Sequence, residues 1–283
     1  MSCSSIDANT FVTTEVHPED QPELQRENNK AFIVSANFPG FPIGLTWLNF
    51  DRCADVHIKA SAEPMEQDSF NVHLNGSEDT LIHSAGCTWL TIYAKDRDFQ
   101  FGNFSTKGHR PDEPRLQTKC KVEFRKPFQG QPPKVIVWFN ELHMSSQNNW
   151  RCKAFVTNIT TDAFIIHIET WATTTLYDAA VSWIAYPSNR PNIASGSFNT
   201  MDVRPWFFPR TNTKGVAKFD KPFGSTPRVL AALNWLDMGN WNDLRLKLTI
   251  SDVNSKGLTW HLDTWDSSIL YSAGASYIAI SDM

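Results

Sequence analysis

The feature that most constrains this chain is an internal copy. Residues 167–183, HIETWATTTLYDAAVSW, return without a gap 94 residues later at 261–277 as HLDTWDSSILYSAGASY. The same step toward the N-terminus lands on 73–89, HLNGSEDTLIHSAGCTW, which keeps the leading His and closing aromatic but has Ser77 where the others have Trp171 and Trp265. A fixed internal period means one supersecondary unit used three times, so positions that differ between copies separate scaffold from chemistry. A second set of counterparts lies upstream: AFIVSANFPGFPIGLTWLNFD (31–51), KVEFRKPFQGQPPKVIVWFNELH (121–143) and VAKFDKPFGSTPRVLAALNWLD (216–237). GNFST from Gly102 and GSFNT from Gly196 mark where the second and third units begin. The spacing predicts units over 29–98, 99–192 and 193–283. Residues 1–28, polar, with Pro18 and Pro22 and no sustained periodicity, are expected to be an N-terminal arm.

No stretch places apolar residues at i, i+3, i+4 and i+7, whereas alternation recurs. In 164–171, Phe164, Ile166 and Ile168 point one way and Ile165, His167, Glu169 and Trp171 the other; 258–265 behaves alike. One face is greasy and one is mixed. Each unit has room for about six short strands, so the expectation is all-β, with three tandem six-stranded antiparallel β-sandwich domains packed greasy face to greasy face. A hydrophobic share of 41% with 11 Trp and 19 Phe suits aromatic-rich strands. Lys plus Arg (26) nearly balance Asp plus Glu (30), which argues against nucleic acid as partner. The five cysteines are odd in number and fall at different places in different units, as free thiols would, and no Cys/His spacing suggests a metal. The N-terminus lacks a basic, then apolar, leader and no apolar run reaches 18 residues. The expectation is a soluble cytoplasmic protein without membrane insertion, any release following a non-classical route.

Three features travel together in the second and third units: an Arg (Arg151, Arg245), a Trp (Trp171, Trp265) and a Tyr six residues after it (Tyr177, Tyr271). The first unit has His57, Ser77 and His83 there, yet keeps His73, Leu74, Ala85 and Trp89. Loss as a set marks a binding site, because trading a packed Trp for Ser costs several kcal/mol and a core would resist it. The persistent His73, His167 and His261 read as scaffold. An aromatic face beside a guanidinium fork suits a sugar, whose C–H groups lie on the ring while its hydroxyls accept paired hydrogen bonds. Stacking worth about 1 kcal/mol and two or three charge-assisted bonds of about 1.5–3 kcal/mol each, less ordering costs, give roughly millimolar affinity for one sugar. Linked sites raise avidity by about 10²–10⁴. No cofactor is implied. A glycoside hydrolase would need two opposed carboxylates, and Glu169 or Asp263 with a partner such as Asp178 could be imagined, but Asp178 aligns with Ser84 and Ser272, so no pair repeats and a non-enzyme is expected. The other alternative is a protein-interaction or self-assembly module whose Trp faces bury unit against unit.

The pattern of Arg in a strand, then T-W, then Tyr, then S-W-I-A, with F-x-x-x-F and P-P-x-V upstream, resembles the H-type lectins of the snail-agglutinin type. The resemblance covers the second and third units almost fully and the first as a degenerate copy. It implies six-stranded antiparallel sandwiches associating as trimers, and a lectin for terminal galactose-type sugars, first N-acetylgalactosamine, on glycans or glycoproteins. Arg151, Arg245, Trp171 and Trp265 match the family's sugar-bonding Arg and Trp. The family's His after the Trp is Ala172, Asp266 and Glu78 here, which makes Asp266 a candidate contact. For the family's upstream Asp, Asp112 or Glu113 stands in the second unit, and Asp202 or the run Trp206, Phe207, Phe208 in the third. The family pocket lies where subunits meet. An intrachain pseudo-trimer taking Arg from one unit and Trp from the next has one junction with both, Arg151 with Trp265 or Arg245 with Trp171. One good site per chain follows, with further valency from homo-oligomerisation.

Overall fold

The computed structural model describes residues 9–18, 27–33, 41–65, 69–77, 79–92, 96–110 and 113–281. The first unit supplies β1 (Thr10–Val12), β2 (Glu27–Ile33), β3 (Ile43–Phe50), β4 (Val56–Pro64), β5 (Ser69–Asn75) and β6 (Ile82–Trp89). The second supplies β7 (Gln100–Ser105), β8 (Gln117–Glu123), β9 (Lys134–Met144), β10 (Trp150–Thr157), β11 (Ala163–Glu169) and β12 (Leu176–Tyr186). The third supplies β13 (Ile193–Asn199), β14 (Lys214–Lys218), β15 (Arg228–Met238), β16 (Leu244–Asn254), β17 (Gly257–Asp263) and β18 (Leu270–Ile280). The alternation decides the faces: in β11 Phe164, Ile166 and Ile168 are buried while Ile165, His167 and Glu169 are only half-buried.

The strands form three six-stranded antiparallel sheets, ordered β1-β6-β3-β16-β17-β14, β2-β5-β4-β9-β12-β7 and β13-β18-β15-β10-β11-β8. No sheet belongs to one unit. Each unit divides its strands three and three between two sheets, and the ladders β4–β9, β10–β15 and β16–β3 join first to second, second to third and third back to first. The units thus close into a ring within one chain rather than following one another as separate beads. Each joint pairs strands that would otherwise be open sheet edges. Inside each unit the half-sheets face one another through aromatic contacts: Phe70–Trp89 at 5.6 Å, Phe164–Trp183 at 5.3 Å and Phe198–Trp260 at 4.9 Å between ring centroids. Burying each such ring contributes about 2–3 kcal/mol.

The ring's centre is a second core. The equivalent strands β3, β9 and β15 touch one another, and Leu90, Ile184 and Ile278, spaced by 94, share a buried cluster. Gly44, Trp138 and Ala232 occupy one repeated position on those strands. A Cβ on Gly44 would lie 2.6 Å from the Trp138 Cβ and closer still to that of Ala232, so this position admits a single large side chain. Trp138 fills it, fully buried, its indole N–H donating to the Ser276 carbonyl at 2.9 Å.

The expected arm over 1–28 is corrected where it is described. Thr10–Val12 pairs with β6, Phe11 is fully buried, and β2 begins at Glu27. The Thr13 hydroxyl accepts the Ala85 N–H at 3.0 Å, as Thr106 does for Ala179 at 3.0 Å and Thr200 for Ala273 at 3.1 Å. Residues 10–13 are therefore the first unit's counterpart of GNFST and GSFNT. Thr13 and Thr106 are 93 residues apart rather than 94, and three residues are too few to show alternation. Pro22 lies outside the described residues. Cys53, Cys87, Cys120 and Cys152 are free thiols. Among the described residues no helix is long and apolar enough to cross a membrane.

Candidate functional site

Each joint between units puts the repeated Arg position directly opposite a side chain of the next unit. Arg151 pairs with Asp237, Arg245 with Asn49 and His57 with His143. The T-W dipeptide then does two things. The Thr170 hydroxyl donates to the Arg151 carbonyl at 2.6 Å, and Thr264 repeats this on Arg245 at 2.5 Å, tying the end of one strand to its neighbour. After the Trp the chain turns through a left-handed residue, Ala172 (φ 55°) or Asp266 (φ 51°). The turn is fastened by Thr174 donating to the Asn149 carbonyl and Ser268 to that of Asp243, both at 2.5 Å. Each indole is thereby held in a cleft with the Arg of its own unit. The first unit has Gly76 for Thr170 and Ser77 for the Trp, although Thr80 still donates to the Asp55 carbonyl at 3.0 Å.

Between the second and third units lies a cleft of about 480 Å³. Asn149, Arg151, Trp171 and Ala172 line it from one side; Trp235, Asp237, Tyr271 and Ser272, with Met201 and Trp206, line it from the other. Arg151 Nε donates to Asp237 Oδ1 at 3.2 Å and Nη1 to Thr174 Oγ1 at 3.4 Å. Burial raises the Asp237 carboxyl above its ordinary range, and Arg151 pulls it partly back. Trp171 and Trp235 stand 5.7 Å apart at 56°, and Trp235 Nε1 donates to Ser272 Oγ at 3.0 Å. Indoles, one guanidinium edge and a few hydroxyl and amide groups make a surface that can stack a flat ring and hydrogen-bond its rim.

A smaller cleft of about 340 Å³ between the third and first units holds Arg245, Trp265, Asp243 and Asp266 opposite Asn49, Asp51 and His83. Arg245 is taken up by Asp243 at 2.6 Å, and the exposed Asp266 approaches it at 3.5 Å, so Asp266 faces the Arg of its own unit. Trp265 meets Trp47 edge-on at 6.3 Å. At the joint between the first and second units His57 stacks on His143 at 4.4 Å, and Tyr177 meets His143 at 4.8 Å. Burial, then the neighbouring His57, holds His143 below the ordinary histidine value.

The expected exchange of Trp between units is therefore corrected. Arg and Trp come from the same unit because the Trp follows the strand paired with the Arg's own strand, as β11 is with β10. It is the Tyr that crosses, because it opens the strand next to the neighbouring unit's joint strand, as Tyr271 opens β18 beside β15. The three combinations are Arg151, Trp171 and Tyr271; Arg245, Trp265 and His83; and His57, Ser77 and Tyr177. One joint has all three residue types.

Asp112 lies outside the described residues. The Glu113 carbonyl accepts from Arg110, and the Asp202 carboxylate accepts the Asn199 N–H at 2.8 Å, capping a 3-10 turn. His167 and His261 bond Thr157 and Ser251 across their hairpins, at 2.8 and 2.9 Å. Asp178 accepts from the Thr106 hydroxyl and the Lys107 N–H, and Glu169 pairs with Lys153 at 2.9 Å, so each carboxylate has a structural partner. Sequence reasoning passed over Trp235, Asp237, Asn149 and Ser272. Trp235 aligns with Trp47 and Glu141, and Asp237 with Asn49 and His143. Unit by unit they do not follow the Arg, since the first unit has Trp47 with His57 and the second Glu141 with Arg151; the match of Trp to Arg appears only across the joints. A larger groove, about 830 Å³, runs past Phe99, Arg125 and Arg190 and contains none of the repeated Arg, Trp or Tyr.

Two stretches, residues 119–186 and 216–280, match the sequence model of the H-type lectin domain. They contain Arg151, Trp171 and Tyr177, and Arg245, Trp265 and Tyr271 respectively. Among solved structures, recombinant discoidin II of Dictyostelium discoideum aligns at 12% identity over 90% of this chain and 82% of that one, with a TM-score of 0.28. No curated protein matches the chain.

Proposed function

We propose that the protein is a lectin for terminal galactose-type sugars, N-acetylgalactosamine first among them, and that its one complete site is the cleft between the second and third units. The observation that carries this reading is the convergence of Arg151, Trp171 and Tyr271 in one open cleft, the three residue types that the first unit lost together. The two family-matched stretches support carbohydrate binding, and the first unit is then a degenerate copy of the same module. The alternative of an interaction module would have the Trp faces buried between units. Trp171 and Trp265 are instead half-buried, each on the wall of a cleft.

The test uses Trp171 rather than Arg151, because removing Arg151 would strand the buried Asp237 carboxylate and confound folding with binding. On a glycan array and by calorimetry, the wild type should bind one galactose-type sugar per chain. Trp171→Ala should lose at least tenfold in affinity with little change in melting temperature, and Trp265→Ala should lose much less. A wild type that binds no glycan, or a Trp171→Ala chain that no longer folds, would point to the interaction module.

A further inference from the structure

The loop after β13 carries an aromatic surface that the fold does not require. Trp206, Phe207 and Phe208 are 53%, 57% and 61% exposed, one after another in the chain. Their ring contacts run in series, Phe208 to Phe207 at 5.0 Å, Phe207 to Trp206 at 5.7 Å and Trp206 to Tyr271 at 6.2 Å. Trp206 is itself a wall of the 480 Å³ cleft, so the surface begins inside the candidate site and continues out of it.

The loop's frame is common property. Arg204, 4% exposed, donates to the Thr213 hydroxyl at 3.0 Å and to the Leu270 and Tyr271 carbonyls at 2.9 Å, with longer bonds to the Pro205 and Phe208 carbonyls. Arg110 of the second unit makes the same kind of cradle with Thr118 and the Leu176 and Glu113 carbonyls. Pro114 and Arg115 of the second unit answer to Pro209 and Arg210 of the third, so on that cradle the second unit has Asp112 and Glu113 where the third has the longer run Trp206, Phe207 and Phe208. The cradle is scaffold, and the aromatic side chains are an addition confined to the joint that has all of Arg, Trp and Tyr. Exposed contiguous aromatic surface costs solubility and marks a place where something binds. Holding it on five hydrogen bonds of one buried Arg removes most of the ordering cost of binding.

We propose that this cleft takes a ligand of more than one ring, an oligosaccharide whose terminal sugar sits between Trp171 and Tyr271 and whose next pyranose lies on Trp206 and Phe207. The proposal rests on the lectin reading of the cleft. A sugar is the occupant that continuity favours, since the surface leads out of a cleft built to stack one ring and supplies further ring faces in line with it. Trp206 and Phe207 stand at 88° to one another, so together they offer a corner against which one ring can lie and its edge can rest, rather than a single flat sheet.

The test compares methyl glycosides of galactose and N-acetylgalactosamine with di- and trisaccharides ending in the same sugars, by calorimetry on the full chain. Extended ligands should bind about 3- to 10-fold more tightly than the methyl glycoside. The double variant Phe207→Ala/Phe208→Ala keeps the backbone carbonyl that Arg204 uses. It should melt as the wild type does and bind the methyl glycoside unchanged, but lose the gain for extended ligands. Equal affinity for short and long ligands overturns the extended site and leaves the lectin reading standing; no binding of any sugar overturns both. Binding of phosphatidylcholine vesicles by the wild type that the double variant loses, with the oligosaccharide gain retained, assigns the surface to membrane contact and overturns the proposal.

Discussion

One ladder position shows how far a single residue can redirect a joint. Where Arg151 faces Asp237, a cation and a buried carboxylate offset each other's desolvation and leave a guanidinium edge in the cleft. Where His57 faces His143, two imidazoles stack and leave no fork to grip a ligand. His143 is held below the ordinary histidine value by burial and then by His57, while Asp55, Asp178 and Glu141 act in the opposite sense. The folded state therefore resists protonation more than the unfolded chain does. His143 costs nothing while it is neutral in both states, and stability is lost as pH falls through the unfolded value of about 6.5 toward the depressed folded one. Melting temperature should fall between about pH 7.5 and 5.5, and His143→Asn, the residue type of Asn49 at the same repeated position, should flatten that fall. His167 is also depressed by burial, so part of the slope will remain. An unchanged slope in the variant, measured by calorimetry across this range, would remove His143 from the account.

At the scale of the element, the turn after each Trp is where local strain serves the site. Ala172 holds φ 55° without a glycine's freedom, which costs about 1–2 kcal/mol, and the Thr170 and Thr174 hydroxyls keep it there. Ala172→Gly relieves the strain but loosens the unfolded chain by about 0.4–1 kcal/mol, so a small net gain in stability is expected. Ala172→Val, with a branched Cβ in the left-handed region, should lose about 1–2 kcal/mol in chemical denaturation and weaken sugar binding by displacing Trp171. Equal stability for the Gly and Val variants would mean that the turn is not held left-handed. The strands on either side were legible in the sequence, because the alternation of Phe164, Ile166 and Ile168 with Ile165, His167 and Glu169 states which face is buried. The spacing of Arg, Trp and Tyr pointed to Arg151, Trp171 and Tyr271 of the cleft but not to Asn149, Trp235, Asp237 or Ser272. What alternation does not encode is which strand lies alongside. Whether β10 meets β15 or another edge depends on the closing of the whole ring, and for that reason the Tyr rather than the Trp turned out to cross between units. The left-handed turn at Ala172 was equally hidden, since alanine gives no sign of it.

For the whole molecule, the centre of the ring explains what one chain can do that three identical subunits cannot. Gly44, Trp138 and Ala232 meet there, and the Cβ distances leave no room for a second large side chain. Three identical subunits would put three Trp or three Ala at this point, overfilling the centre or leaving it hollow; a single chain can hold one of each in fixed order. Removing the indole with Trp138→Gly should cost about 3–5 kcal/mol through the cavity it leaves. Adding one with Gly44→Trp should prevent folding, because the added ring has nowhere to go while Trp138 remains. If the three positions are equivalent, the triple variant Gly44→Trp/Trp138→Ala/Ala232→Gly moves the same indole one unit round the ring with its small neighbours in the same order, relieves the approach of position 44 to the Ala232 Cβ, and fills the same space. Ser182 stands to Gly44 as Ser276 stands to Trp138, so its carbonyl offers the moved indole an equivalent acceptor. The triple variant should then be more stable than Gly44→Trp or Trp138→Gly alone in urea denaturation followed by circular dichroism, a coupling of opposite sign to simple addition. Losses that merely add would mean that the centre is not interchangeable, and that the three units, however alike in sequence, close the ring by contacts specific to each.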